Sequence, residues 1–273
     1  MRAGTGLDDQ GFFVPEGALS RVRPPFDAVL AAARPRLEEA FADRLDGAYL
    51  YGSVPRGTAR AGRSDLDLLL VLAREPGPAD RAAAGELAAG LDEEFRQIDG
   101  AGILLMGRER LLSPAERHDG GWFLACLCTP WFGTDHVPLL PRYRPSSLLA
   151  RETNGDLGAR LPLWRERVAR ARTDAELRLL CRAFARKLVR TGFTLVMPRL
   201  NAWTSELDAS ALAFGDCYPQ RGAQMRRAAA VAREPLADRA LLAAFTEDLG
   251  PWLAAEYARV HGVKSEENPK RGG

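Results

Sequence analysis

Apolar residues recur at helical spacing through "PFDAVLAAARPRLEEAFADRL", residues 25–45, which predicts a helix with Pro35 as a kink or break. The run Ala48-Tyr49-Leu50-Tyr51 predicts a short strand that closes at Gly52. "DLDLLLVL", residues 65–72, is too apolar for a half-exposed strand and predicts a central one covered on both faces. Residues 78–97 carry a helical pattern. "IDGAGILLM", residues 98–106, reads as a third strand, its two glycines implying a bulge or a close backbone approach. From about residue 146 the pattern is helical nearly throughout, over 158–171, 173–197, 204–216, 219–233 and 237–260. Thr173-Asp174 and Thr204-Ser205 are candidate helix starts, because their side-chain oxygens can accept from free helical amides. Pro198 is expected to end the longest helix. The pattern predicts a sheet-bearing domain over 1–145, an all-helical domain over 146–262 packed on it, and a flexible tail over 263–273.

Composition narrows the function classes more than the fold. The 38 basic and 36 acidic residues among 273 nearly cancel, to a formal charge of +2, so nothing calls for a nucleic-acid partner. No apolar stretch reaches the length of a membrane span, and the opening "MRAGTGLDDQGFFVPEG" lacks the apolar core of a secretory signal. Four cysteines without a regular framework fit reduced thiols in a cytoplasmic protein. His118, Cys126, Cys128 and His136 invite a zinc site, but the Cys-Leu-Cys spacing is too tight and "FLACLC" is apolar enough to be core.

The chemistry concentrates in "YGSVPRGTARAGRSDLDLLLVL", residues 51–72. On a strand, Asp65 and Asp67 project from one side about 6–7 Å apart while Leu66 and Leu68 anchor the other. Paired carboxylates of this kind suit Mg²⁺, which takes hard oxygen ligands from one or two carboxylates plus substrate phosphates. Gly52 lets backbone amides approach a polyphosphate with no Cβ in the way, and Ser53 adds a hydroxyl donor. Arg56, Arg60 and Arg63 lie in the same loop, and guanidinium forks match phosphate oxygens.

Gly-Ser, eleven residues, then Asp-Leu-Asp opening a strand resembles the signature of the DNA polymerase β-like nucleotidyltransferase superfamily. The layout of a Gly-Ser loop followed by a helical half is most similar to its antibiotic (aminoglycoside-type) nucleotidyltransferases. The resemblance implies an α+β fold, with a mixed sheet flanked by helices and a helical bundle following. It implies two Mg²⁺ ions on Asp65 and Asp67, and ATP or another nucleoside triphosphate as donor. Gly52, Ser53, Arg56, Arg63 and Ser64 would bind the nucleotide. The family pattern also wants a third carboxylate as metal ligand or general base. Asp99 is the candidate; its rival reading is a turn residue, with Glu94 and Asp135 as weaker substitutes. A basic residue of the second domain often holds the leaving pyrophosphate, and Lys187 fits that part; the other reading is a solvated charge. Trp203 is either a staple at a helix start or, with Glu206 and Asp208, the wall of a pocket for a cationic acceptor. The expected activity is transfer of a nucleoside monophosphate to a hydroxyl of a small molecule. The rivals are an enzyme acting on a protein or RNA end, and a nucleotide-binding module without catalysis.

Overall fold

The computed structural model describes residues 6–265. The chain divides into two units: Val14–Tyr143 makes one, and the described residues up to Phe13 and from Arg144 onward make the other.

In the first unit, α1 (Phe26–Phe41) leads to β1 (Leu45–Tyr51), the one-turn helix α2 (Ser53–Arg56), β2 (Leu66–Leu72), α3 (Pro78–Glu94) and β3 (Ala101–Gly107). The short α4 (Arg108–Leu111), α5 (Gly120–Leu127) and β4 (Cys128–Gly133) complete it. The four strands form one mixed sheet in the order β3-β2-β1-β4. β1 pairs antiparallel with β2 and β4, whereas β3 runs parallel to β2. The parallel pair requires a crossover, and α3 supplies it.

β2 is an inner strand covered on both faces, as its unbroken apolar run predicts. Leu66, Leu68, Leu70 and Leu72 join Ala48, Leu50 and the inner faces of α1 and α3 in one core. Leu69 and Val71 join Tyr49, Met106, Leu111 and Leu124 in a second core on the other face. Pro35 does not break α1. Buried Val29, Leu30, Ala33, Leu37 and Phe41 lie on both sides of it, and burying that stripe outweighs one missing amide donor. The glycines of the third strand introduce no bulge, since its register with β2 runs unbroken from Leu66↔Ala101 to Leu72↔Gly107. The pattern around Cys126 and Cys128 predicts only core, whereas the structure places a strand, β4, from Cys128 onward.

The second unit is helical: α6 (Ser147–Asn154), α7 (Leu157–Arg170), α8 (Asp174–Leu200), α9 (Leu207–Cys217), α10 (Pro219–Arg233), α11 (Arg239–Ala244) and α12 (Gly250–His261). Thr173 starts α8 as expected: its hydroxyl accepts from Glu176 N, and the Glu176 carboxylate accepts from Thr173 N. Thr204 accepts from Glu206 N in a turn just before α9, so it leads into that helix rather than capping it. Pro198 sits inside α8, which continues to Leu200 and ends on Asn201 in the left-handed region at φ 44°. One helix was expected over 237–260. The structure has two, α11 and α12, joined by a π-helical turn at Phe245–Leu249. Pro251 lacks the amide that a continuous α-helix would use, and the wider turn takes up the mismatch. Of the expected tail, Lys264 N donates to Gly155 O and Ser265 Oγ donates to Glu152, while residues 266–273 lie outside the described residues. No helix among the described residues is long and apolar enough to cross a membrane.

Candidate active site

The site begins where β1 runs out. Gly52 takes φ 79°, ψ −150°, a conformation that favours glycine, and the chain then coils into α2 and closes on Gly57 at φ 73°. Val54, buried in the sheet core, anchors the turn from below. A Cβ at Gly52 would collide with Asp67 Oδ2. Glycine is therefore required twice, for the backbone angle and for the carboxylate lying against it.

Asp67 stands in β2 between Tyr51 of β1 and Gly102 of β3. Asp65 lies just before β2, where Leu66 N donates to Gly100 O. Cβ positions built on Gly102 and Gly100 fall 3.6 Å from Asp67 Oδ1 and 3.8 Å from Asp65 Oδ1. Residues two apart on an extended chain share a face, so both carboxylates look out on the same glycine-lined side. Gly52, Gly100 and Gly102 put no side chain over them. Ser64 holds the approach loop: its hydroxyl accepts from Arg60 N at 2.9 Å, its amide donates to Arg60 O, and its carbonyl accepts from Asp99 N.

Asp99 occupies a bend before β3 rather than the strand itself. Extending the register, it stands opposite Ser64 and shares parity with Ala101 and Ile103, which pack towards α1 and α3. The β3 residue directly opposite Asp67 is Gly102. Glu94 is ion-paired with Arg36. Asp135 follows β4 at the end of the sheet away from Tyr51, where its carboxylate accepts from Val137 N. Among the described residues, no three His, Cys, Asp or Glu side chains form a ready metal cage. A pair of carboxylates beside an uncovered turn still fits Mg²⁺, which takes much of its coordination from substrate phosphates and water.

One acidic residue escaped the sequence reading. Burial raises the carboxyl of Asp92 on α3 above its ordinary value, against a bond from Ala101 N, and the charges of Asp65 and Asp99 add to the rise. The three acids thus share one neighbourhood at the mouth of the β2–β3 pair. Asp92 looks like any polar residue of an amphipathic helix, so no local signal identifies it.

Arg63 is exposed in the loop, whereas the Arg56 guanidinium donates to Glu16 Oε2 at 3.1 Å with both side chains mostly buried. Lys187 belongs to the helical unit, where its ammonium donates to Asp156 Oδ1 at 2.8 Å and to Asn154 Oδ1 at 3.0 Å. Burial alone would raise the Asp156 carboxyl. The Lys187 charge and hydrogen bond, then Arg160, overcome it and lower the pKa to about 2. Trp203 is buried edge-on between Phe13 and Phe193, a core packing contact, and Asp208 pairs with Arg233; α9 has Glu206 as its N-cap, so these contacts describe neither a staple at its start nor a pocket wall. The zinc alternative finds no support: His136 bonds Asp46, His118 packs edge-on to Tyr143, and burial pushes the Cys126 thiol well up.

Residues 33–99 match the family model of the nucleotidyltransferase domain. The match spans Gly52, Ser53, Asp65, Asp67 and Asp99, and bears out the resemblance to the DNA polymerase β-like nucleotidyltransferases. Among solved structures, the fold is similar to that of a spectinomycin adenyltransferase from Enterococcus faecialis, crystallised with ATP and spectinomycin. That similarity covers 85% of this chain and 98% of the other at 14% identity, with a TM-score of 0.51. It bears out the mixed sheet followed by a helical region. No curated protein sequence matches the chain.

Proposed function

Taking residues 33–99 as a nucleotidyltransferase domain, we propose that the protein transfers a nucleoside monophosphate from a nucleoside triphosphate, ATP first among donors, to a hydroxyl of a small molecule. The acceptor class we assign is an antibiotic of the aminoglycoside or spectinomycin type, on the strength of the shared fold. The observation that carries the reading is Gly52. Its left-handed turn lies so close to Asp67 that phosphates received by the turn would meet the carboxylate pair directly.

In this reading, the amides of Gly52 and Ser53 and the Ser53 hydroxyl bind the triphosphate, and Arg63 closes on it from the loop that Ser64 holds in place. Magnesium held by Asp65 and Asp67, two ions in all, would neutralise phosphate charge and polarise the acceptor oxygen. The acceptor oxygen attacks the α-phosphorus, pyrophosphate leaves, and the acceptor's proton passes to Asp99, the carboxylate we assign as base. Positioning and electrostatics dominate, because phosphoryl-type transfer asks little covalent chemistry of the protein. We assign Lys187 no step in this transfer, because its ammonium is held by Asp156 and Asn154 within the helical unit.

The test is incubation with labelled ATP, GTP, CTP and UTP against a panel of amino-sugar antibiotics and spectinomycin. We expect a labelled conjugate and pyrophosphate. Asp67→Asn should lower the rate by about 10³-fold or more while leaving the unfolding midpoint unchanged. Turnover retained in Asp67→Asn would remove the metal assignment. One observation favours a second reading, nucleotide binding without transfer: the strand position opposite Asp67 is Gly102 and offers no further carboxylate. Bound ATP recovered intact with every acceptor would support it.

A further inference from the structure

Residues 16–21 strap the turn that carries Gly52. Glu16 N donates to Cys126 O at 3.3 Å, Ala18 N donates to Pro55 O at 2.9 Å, and Arg21 Nη1 returns to Glu16 O at 2.9 Å. The contact is backbone-close on both sides of α2. A Cβ at Gly17 would strike Thr129 Oγ1 and come within 2.9 Å of Pro55 Cβ, and one at Gly57 would lie 3.0 Å from Arg21 O. Within this strap, the Glu16 carboxylate takes Arg56 at 3.1 Å, with side-chain exposures of only 14% and 24%. Arg56 is the last residue of α2, four positions from Gly52. A mostly buried ion pair is sensitive to loss of either member, because the remaining charge is left uncompensated.

We infer that Glu16 is a positioning residue for the nucleotide turn: by holding Arg56, it fixes α2 in the conformation that keeps Gly52 against Asp67. Arg56 is then a strut rather than a phosphate ligand. The geometric part of this stands alone; its kinetic consequence rests on the nucleotidyl transfer proposed above.

Two readouts separate those parts. Amide hydrogen exchange over residues 53–58, measured without nucleotide, should accelerate by about tenfold in Glu16→Ala, the change expected when one charge-assisted hydrogen bond is lost. The KM for the donor nucleotide should rise by about tenfold with kcat changed less than about twofold, because a misplaced turn weakens ground and transition states alike. The swapped pair Glu16→Arg with Arg56→Glu should recover most of both effects, and Glu16→Gln, of equal volume, covers the case in which Glu16→Ala does not fold. Wild-type exchange in Glu16→Ala or Glu16→Gln would overturn the inference. A folded swap as impaired as the single variants would overturn it too, by showing that Arg56 acts through its own charge. A wild-type protein that turns over no nucleotide would instead count against the functional proposal, while the exchange data still decide the role of Glu16.

Discussion

Gly52 is the position where one added methyl group should do most harm. Its φ of 79° is strained for any L side chain, and the new Cβ would meet the Asp67 carboxylate. Gly52→Ala is expected to cost about 1–3 kcal/mol of stability and to abolish nucleotide-dependent transfer, read from denaturant midpoints and initial rates. Gly102→Ala is the control: its Cβ would stand 3.6 Å from Asp67, at ordinary contact distance, and stability should stay within about 0.5 kcal/mol of wild type. Equal damage at both glycines would mean that crowding at Gly52 is not what matters. At this scale the sequence was informative where chemistry and backbone requirement coincide. Gly52 and Asp67 lie against each other across the β1–β2 pair, where backbone requirement and carboxylate meet. Arg56 shows the opposite case, since nothing in the loop says that its charge belongs to Glu16.

Among the elements, β2 carries the mechanical burden of the site. Its two faces enter different cores, so truncation on either face removes buried surface. Leu68→Ala and Leu69→Ala are each expected to destabilise by about 2–5 kcal/mol in chemical denaturation. A half-exposed strand would show the loss at only one of the two, and that result would contradict the sheet order. The strand was legible because eight consecutive residues with only two polar positions, both at its head, fit few other structures. Less legible were the places where an element's character depends on its neighbours. β4 is short and follows directly on α5, so its apolar residues carry no period of their own. The π turn before α12 leaves the helical pattern intact and is visible only in the hydrogen bonds. Asp99 fell between readings because one residue separates a strand position from a bend, and the pairing with Ser64 decided it.

For the molecule as a whole, the helical unit should report on acid. Asp156 has a folded-state pKa of about 2, below its ordinary 3.8. A carboxyl depressed on folding contributes stability above its unfolded value and loses it as pH falls through the folded one. Lys187→Met should therefore destabilise the protein by about 2 kcal/mol near neutrality, with the gap to wild type shrinking between about pH 4 and pH 2. Urea unfolding at pH 7 and at pH 3 measures this, and a gap independent of pH would rule out the Lys187–Asp156 pair as its source. The near-cancelling charges of the chain have a bearing on partners as well. With 38 basic against 36 acidic residues and a formal charge of +2, the chain carries no large net basic surplus of the kind that drives salt-dependent binding to phosphate backbones.

What the amino-acid sequence determined alone is the strand, turn and strand around Gly52 and Asp67, together with the change from sheet to helices. These follow from backbone freedom, side-chain alternation and hydrophobic period, which are properties of residues close along the chain. Tertiary structure alone decided that Gly102 faces Asp67, that Asp92 joins the acidic neighbourhood, and that Glu16 claims Arg56. Each of those pairings joins segments distant in sequence, and they meet only once the sheet register and the packing of both cores have been set.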